Sequence, residues 1–195
     1  MGEMKSAFER ALERVDKLGK MSPEEMRASR EKEFLPVGQA LAERYLEHGY
    51  IRLLQEDIDK YLGEEKDVVR KAALNRLLEA IDPGKEKLSE KAMEGVTALA
   101  GEAQVADMRQ QITNLFQEYR AAEESLYQEQ KEEVEKREMA LLHRLRISGS
   151  AVGGINLEAS ESWQEMSKKL QSRFGQRLQQ IKEQGREQIG GNATS

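Results

Sequence analysis

The sequence predicts an all-α fold, in which an N-terminal bundle of short helices is followed by a long helix that forms a helical hairpin or a coiled-coil arm. Residues of high helix propensity dominate the 195-residue chain, while only 5% are aromatic and 3 are proline. Apolar residues recur every three or four positions along most of the length. A charged fraction of 34% against an apolar fraction of 38% indicates an elongated protein with much helical surface in water.

The N-terminal helices are marked by local start and stop signals. An apolar stripe over Met4–Leu18 predicts the first helix. Ser22-Pro23-Glu24-Glu25 has the pattern of a capping box with proline at the first helical position, so a second helix begins there. Pro36 is expected to end or kink that helix, because proline lacks the amide hydrogen. Gly49 then closes a third helix. Apolar clusters over residues 51–62 and 68–81 predict further short helices.

A long helix follows, because residues 102–146 contain neither proline nor glycine. At 1.5 Å per residue it would be about 68 Å long. From Val105 to Leu126 its apolar positions alternate by three and four, which is the pattern of a left-handed coiled coil. The step from Leu126 to Val134 breaks this phase, which locally unwinds a supercoil. A lone helix of this polarity needs a second helix, either a returning segment or another copy.

The segment after the long helix is rich in glycine and does not fit a phosphate-binding loop. A helix precedes it, and Ile155-Asn156 stands where such a loop needs lysine followed by serine or threonine. The simplest interpretation is a turn over residues 148–156 between two antiparallel helices. The alternative is a loop that inserts into a partner's groove; its candidate partner-binding residues are Gly149, Ser150, Val152, Gly153, Gly154 and Ile155.

The last helix is amphipathic and locally basic, which leaves two interpretations open. Its basic face could pack antiparallel on the acidic stretch Glu123–Glu138, or it could lie on a membrane surface or in a partner's groove. Its apolar stripe supplies four further candidate partner-binding residues: Trp163, Met166, Leu170 and Phe174. The predicted domains are thus 1–84, a long arm over 85–189 and a flexible tail over 190–195.

Several function classes are disfavoured by composition. A net charge of −5 argues against nucleic acid as a partner, and without cysteine the chain has no thiolate nucleophile or cysteine metal site. His48 and His143 are isolated and fit no metal-ligand pattern. No pair of carboxylates stands out as a general acid and base. We therefore expect no catalytic residues, no cofactor and no metal.

The function that the sequence favours is a non-catalytic helical scaffold or adaptor, which acts by protein–protein interaction and forms a homo-oligomer. The alternative is a peripheral membrane protein that binds through the basic final helix. A third hypothesis is an enzyme whose site forms only between subunits. With no signal-peptide pattern and no run of about 20 apolar residues, we expect a cytoplasmic location.

Overall fold

A computed structural model describes residues 22–145 and 160–191, which form six α-helices and no β-strand. The helices are α1 (Pro23–His48), α2 (Ile51–Ile58), α3 (Gly63–Ala80), α4 (Glu86–Ala100), α5 (Glu102–Leu145) and α6 (Glu161–Gly191). The all-α prediction is confirmed. The predicted helix over 4–18, the glycine-rich turn over 148–156 and residues 192–195 of the predicted tail lie outside the described residues.

Helix α1 begins and ends as its sequence signals predict. The Ser22 hydroxyl accepts a hydrogen bond from the Glu25 amide at 3.2 Å, and the Glu25 carboxylate accepts one from the Ser22 amide at 2.7 Å. At the other end Gly49 has φ 78°, a left-handed conformation, and its amide donates to the Tyr45 carbonyl. The capping box and the glycine stop are confirmed.

The expectation of a separate third helix after Pro36 is wrong, because α1 continues through Pro36 to His48. The alternative expectation, a kink at Pro36, stays a prediction. Proline removes one helical hydrogen bond, but burial of the turns that follow stabilises the continuous helix. Gly38, Ala42 and Tyr45 are all buried there, and Gly38 lies directly against Ala72 of α3. Tertiary packing overrides the local signal at this position.

Two compact units make up the chain. Unit 1 comprises residues 1–80 and 94–99, and unit 2 comprises residues 81–93 and 100–195, so that α4 contributes to both. The domain limits predicted from the sequence, 1–84 and 85–189, stay predictions.

Unit 1 is built on the packing of α1 against α3. Its core contains Ala42, Tyr45, Leu54, Ile58, Val69, Ala73, Leu77 and Leu78. Two side chains satisfy carbonyl groups near the C-terminal end of α4, where a helix leaves its carbonyls without partners: Gln55 donates to the Ala98 carbonyl at 3.2 Å, and Arg70 donates to the Leu99 carbonyl.

Unit 2 contains α5 and α6, which pack against each other in antiparallel orientation. Gly185 approaches Met108, Arg177 pairs with Glu118 at 2.6 Å, and Ser162 donates to Gln130 at 3.1 Å. Residue numbers therefore decrease along α6 in the direction in which they increase along α5. Whether the connection is the predicted tight turn, and whether the helices supercoil, stay predictions.

Candidate partner-binding surface

The apolar stripe of α5 is deeply buried over only part of its length. Val105, Met108, Ile112, Leu115 and Tyr119 are each at most 5% exposed. The same stripe then continues into residues that are only half-buried: Ala122, Leu126, Tyr127 and Val134. Burial already decreases at Ala122, before the heptad spacing breaks between Leu126 and Val134, so spacing alone does not show where the deeply buried stretch ends.

Burial also changes along α6, but here it increases toward the C-terminal end, because α6 runs antiparallel to α5. Phe174 and Leu178 are each 4% exposed, whereas Trp163, Met166 and Leu170 are half-buried. Of the four candidate residues on this helix, Phe174 belongs to the interior of unit 2, where its ring meets that of Tyr119 edge to face with 5.4 Å between centroids. It is a core residue, while the other three lie at the surface.

The apolar residues of α5 and α6 are fully buried where a third segment packs against both helices. Residues 81–93 belong to unit 2 and contact both long helices: Lys182 of α6 donates to the Ile81 carbonyl at 2.7 Å, and Arg120 of α5 forms an ion pair with Glu86. Beyond Arg120, the described part of unit 2 consists of α5 and α6 only. Two helices cannot cover each other's apolar stripes completely.

We call the half-buried apolar residues of this two-helix part the distal surface. They are Ala122, Leu126, Tyr127, Val134, Trp163, Met166 and Leu170. The Tyr127 and Trp163 rings meet edge to face, with 5.5 Å between centroids and an interplanar angle of 89°. Aromatic pairs of this geometry add about 0.5–1.5 kcal/mol beyond the area that they bury. The distal surface therefore has an ordered aromatic centre.

Some of the basic side chains of α6 interact within unit 2. Arg177 pairs with Glu118 and lies over the Phe174 ring at 5.5 Å, and Lys182 is only 6% exposed. Lys168, Lys169 and Arg173 are exposed. The charges available to a partner are therefore concentrated on the half of α6 that carries Trp163.

Two tyrosines, Tyr45 and Tyr119, have raised pKa values because they are buried in the core. Burial is the larger cause of the raised pKa of Tyr119, and the hydrogen bond that its hydroxyl donates to Glu123 at 3.0 Å is the second. In unit 1, burial and the neighbouring Glu94 carboxylate raise the pKa of Tyr45, whose hydroxyl donates to that carboxylate at 3.3 Å. Both phenols are held neutral, and a raised pKa makes a phenol a weaker acid rather than a ready base.

Unit 1 has a small apolar groove that sequence reasoning missed. A cavity of about 320 Å³ is lined in part by Leu41, His48, Tyr50 and Leu53, with Tyr50 64% and Leu53 47% exposed. The available signal was the apolar pair Tyr50 and Leu53, which follows Gly49. In the described ranges, no group of three or more His, Asp or Glu side chains could hold a metal ion, and no helix there is long and apolar enough to cross a membrane.

A family model matches residues 55–187, which is more than half of the chain. The chain belongs to this family. It is described as a family of unknown function, DUF6657. The DUF6657 match begins within α2, ends within α6 and includes every residue of the distal surface. No curated protein and no solved structure matches the chain.

Proposed function

We propose that this DUF6657 chain is a non-catalytic scaffold or adaptor that binds another protein chain through the distal surface. The observation that supports the proposal is that the apolar stripes of α5 and α6 continue past the point where their residues are fully buried. Isolated two-helix structures of this polarity are marginal in water, so a bound partner would stabilise the distal part. A cytoplasmic location is part of the same proposal.

The side chains of the distal surface suit protein recognition. Tyrosine, tryptophan and methionine are enriched in the buried centres of protein interfaces, and each occurs here as Tyr127, Trp163 and Met166. The Tyr127–Trp163 ring contact fixes both rings before a partner binds, which reduces the entropy lost on association. Exposed charges surround this centre, as at the polar rim of an interface.

The test compares three forms of the full chain, expressed with a tag in its source cells. The surface variant is Leu126→Lys/Met166→Lys, which places charge among half-buried apolar side chains. The control is Met139→Lys on the same helix, where the side chain is already 74% exposed. Circular dichroism checks that all three forms are helical before the comparison is made.

The proposal predicts that at least one protein, whether a second copy or another species, is recovered with the unsubstituted chain and with Met139→Lys but lost with the surface variant. Recovery of the same proteins with all three forms would overturn it.

The second candidate function is binding to an anionic membrane surface through α6. Its support is that Lys168, Lys169 and Arg173 are exposed on the helix that also carries Trp163. Flotation with vesicles that contain phosphatidylserine tests this function. Binding that disappears in Lys168→Glu/Lys169→Glu would support it, and no flotation of the unsubstituted chain would exclude it.

A further inference from the structure

The apolar stripe of α6 has two edges of different chemistry. On one side of the stripe, Lys169, Arg173 and Arg177 follow one another at steps of four residues, and all three are exposed. We call this the basic edge. Arg177 pairs with Glu118, so the basic edge lies on the Glu118 side of α5. On the other side of the stripe are polar residues without charge, which we call the neutral edge: Ser160, Gln164, Ser167 and Gln171.

The neutral edge lies on the side of α6 against which segment 81–93 packs. Gln164 and Gln171 stand eighteen and eleven residues before Lys182, which is about five and three helical turns, so all three point in the same direction from the helix axis. Lys182 donates to the Ile81 carbonyl at 2.7 Å. The neutral edge therefore continues the face of α6 that segment 81–93 covers.

Helix α5 has a matching face. Tyr127 and Val134 follow Arg120 at steps of seven residues, so all three lie on nearly the same side of α5. Arg120 forms an ion pair with Glu86, the first residue of α4. Segment 81–93 thus covers this face as far as Arg120. Among the described residues of unit 2, no third helix lies over the part of the face that carries Tyr127 and Val134.

The two faces together form a groove in line with α4. Ser162 donates to Gln130, so the paired part of α5 and α6 extends at least ten residues beyond Arg120, or about 15 Å. The Tyr127 and Trp163 rings, which contact each other edge to face, are the aromatic part of the groove. The preceding part of the same side is occupied by one helix, the residues of α4 that belong to unit 2. The groove is therefore long enough for about three turns of one further helix.

We propose that the partner of the distal surface is one amphipathic helix of another protein, which lies in this groove along the neutral edge; the proposal rests on the function proposed above. Apolar residues of the partner helix, three or four positions apart, cover the Tyr127 and Trp163 rings. Polar residues beside them form hydrogen bonds with Gln164 and Gln171. The added helix extends into the distal part the three-helix packing that already buries the apolar residues near Phe174.

The chemistry of the neutral edge favours a protein helix as its occupant. Charged residues make up 34% of the chain, yet the four residues of the neutral edge include none. Depletion of charge is typical of the buried centre of a protein interface. An anionic lipid surface would instead bind the basic edge. A second copy of the chain would bring two paired helices, its own α5 and α6, to a side on which α4 lies as one.

The test uses the photoreactive amino acid p-benzoylphenylalanine, which on irradiation bonds covalently to a C–H group that lies against it. In the full tagged chain, expressed in its source cells, it replaces Gln164 or Gln171 on the neutral edge. In the matched controls it replaces Lys169 or Arg173 on the basic edge. All four positions are exposed on the same helix. Mass spectrometry of the crosslinked peptides identifies the protein and the residue that each position contacts.

The proposal predicts that both neutral-edge positions crosslink to one segment of one other protein, and that neither basic-edge position does. Gln164 and Gln171 are seven residues apart on one face of α6. Their two crosslinks should therefore also lie about seven residues apart in the partner segment, as on one face of a helix.

Crosslinks to lipid, to a second copy or to another segment of the same chain would each overturn the proposal. Co-expression of a second copy with a different tag separates crosslinks between copies from crosslinks within one chain. Equal crosslinking from the basic edge, or none from either edge, would overturn the proposal as well. The function proposed above survives such a result if the Leu126→Lys/Met166→Lys variant still loses a protein in cells, and it fails too if that variant loses nothing.

Discussion

Gly38 of α1 lies so close to Ala72 of α3 that a Cβ atom at position 38 would be 2.7 Å from the Ala72 Cβ atom. The same atom would be 3.0 Å from the Ala73 backbone nitrogen. Backbone atoms of a packed helix cannot move aside as the end of a flexible side chain can. The approach of α1 to α3, on which the core of unit 1 is built, therefore depends on the missing side chain.

We expect Gly38→Ala to lower the free energy of unfolding by about 2 kcal/mol, because overpacking outweighs the higher helix propensity of alanine. Urea denaturation followed by circular dichroism measures this change. The matched control is Gly175→Ala in α6, where no atom outside the surrounding helix backbone lies within 4 Å of the added methyl group. That variant should gain up to about 1 kcal/mol. Equal effects of the two substitutions would show that α1 and α3 are not in close contact at Gly38.

The features that were predictable from sequence at this end of the chain are those that local geometry decides. Ser22 and Glu25 form a capping box with no help from distant residues, and Gly49 adopts its positive φ for the same local reason. Pro36 was misjudged because its effect depends on the helix that lies alongside. The close contact at Gly38 joins residues more than thirty positions apart, and no periodic pattern reveals it.

The candidate surface was only partly predictable for a similar reason. Trp163 and Phe174 occupy equivalent positions on the apolar stripe of α6. The stripe alone therefore does not show that one lies at the surface and the other in the core. What distinguishes them is the segment 81–93, which joins the two long helices near Phe174. The sequence predicts the stripe, whereas its division into core and surface depends on a segment that lies some ninety residues earlier in the chain.

Tyr45 and Tyr119 should make the protein less stable at alkaline pH. Burial raises the pKa of both in the folded state, while the unfolded side chain titrates at the ordinary value of 10.0. Above pH 10 the unfolded state therefore loses protons that the folded state retains, and stability falls by up to about 1.4 kcal/mol per pH unit for each tyrosine. Below the unfolded pKa this contribution is fully present. Urea denaturation at a series of pH values from neutral to alkaline measures the slope.

The control for this prediction is Tyr45→Phe/Tyr119→Phe, which removes both phenols and keeps both rings. Its stability should fall less steeply with pH, since any remaining slope comes from other groups that titrate in the same range, such as lysine. If the slope does not change, ionisation of these two tyrosines does not limit alkaline stability.

Lys182 should contribute to stability through its buried ammonium group. The side chain is 6% exposed, and Nζ donates to the Ile81 carbonyl at 2.7 Å. Lys182→Met keeps much of the side-chain volume but removes this donor, so the free energy of unfolding should fall by about 1–3 kcal/mol. Thermal denaturation gives the difference. Lys169→Met, at an exposed position of the same helix, should change stability by no more than about 0.5 kcal/mol; a loss as large as that at Lys182 would indicate a general effect of charge.

Trp163 is the only tryptophan of the chain, so its fluorescence reports on the distal pairing of α5 and α6 alone. Its ring meets Tyr127 edge to face, and Tyr127→Ala removes that cover. We expect the emission maximum to move to longer wavelength as water reaches the indole, with about 1 kcal/mol lost from the stability of unit 2. Tyr61→Ala, which removes an edge-to-face contact with Phe34 in unit 1, should leave the emission unchanged. An unchanged spectrum in Tyr127→Ala would mean that the indole is covered by something other than Tyr127, and the aromatic centre of the distal surface would have to be reassigned.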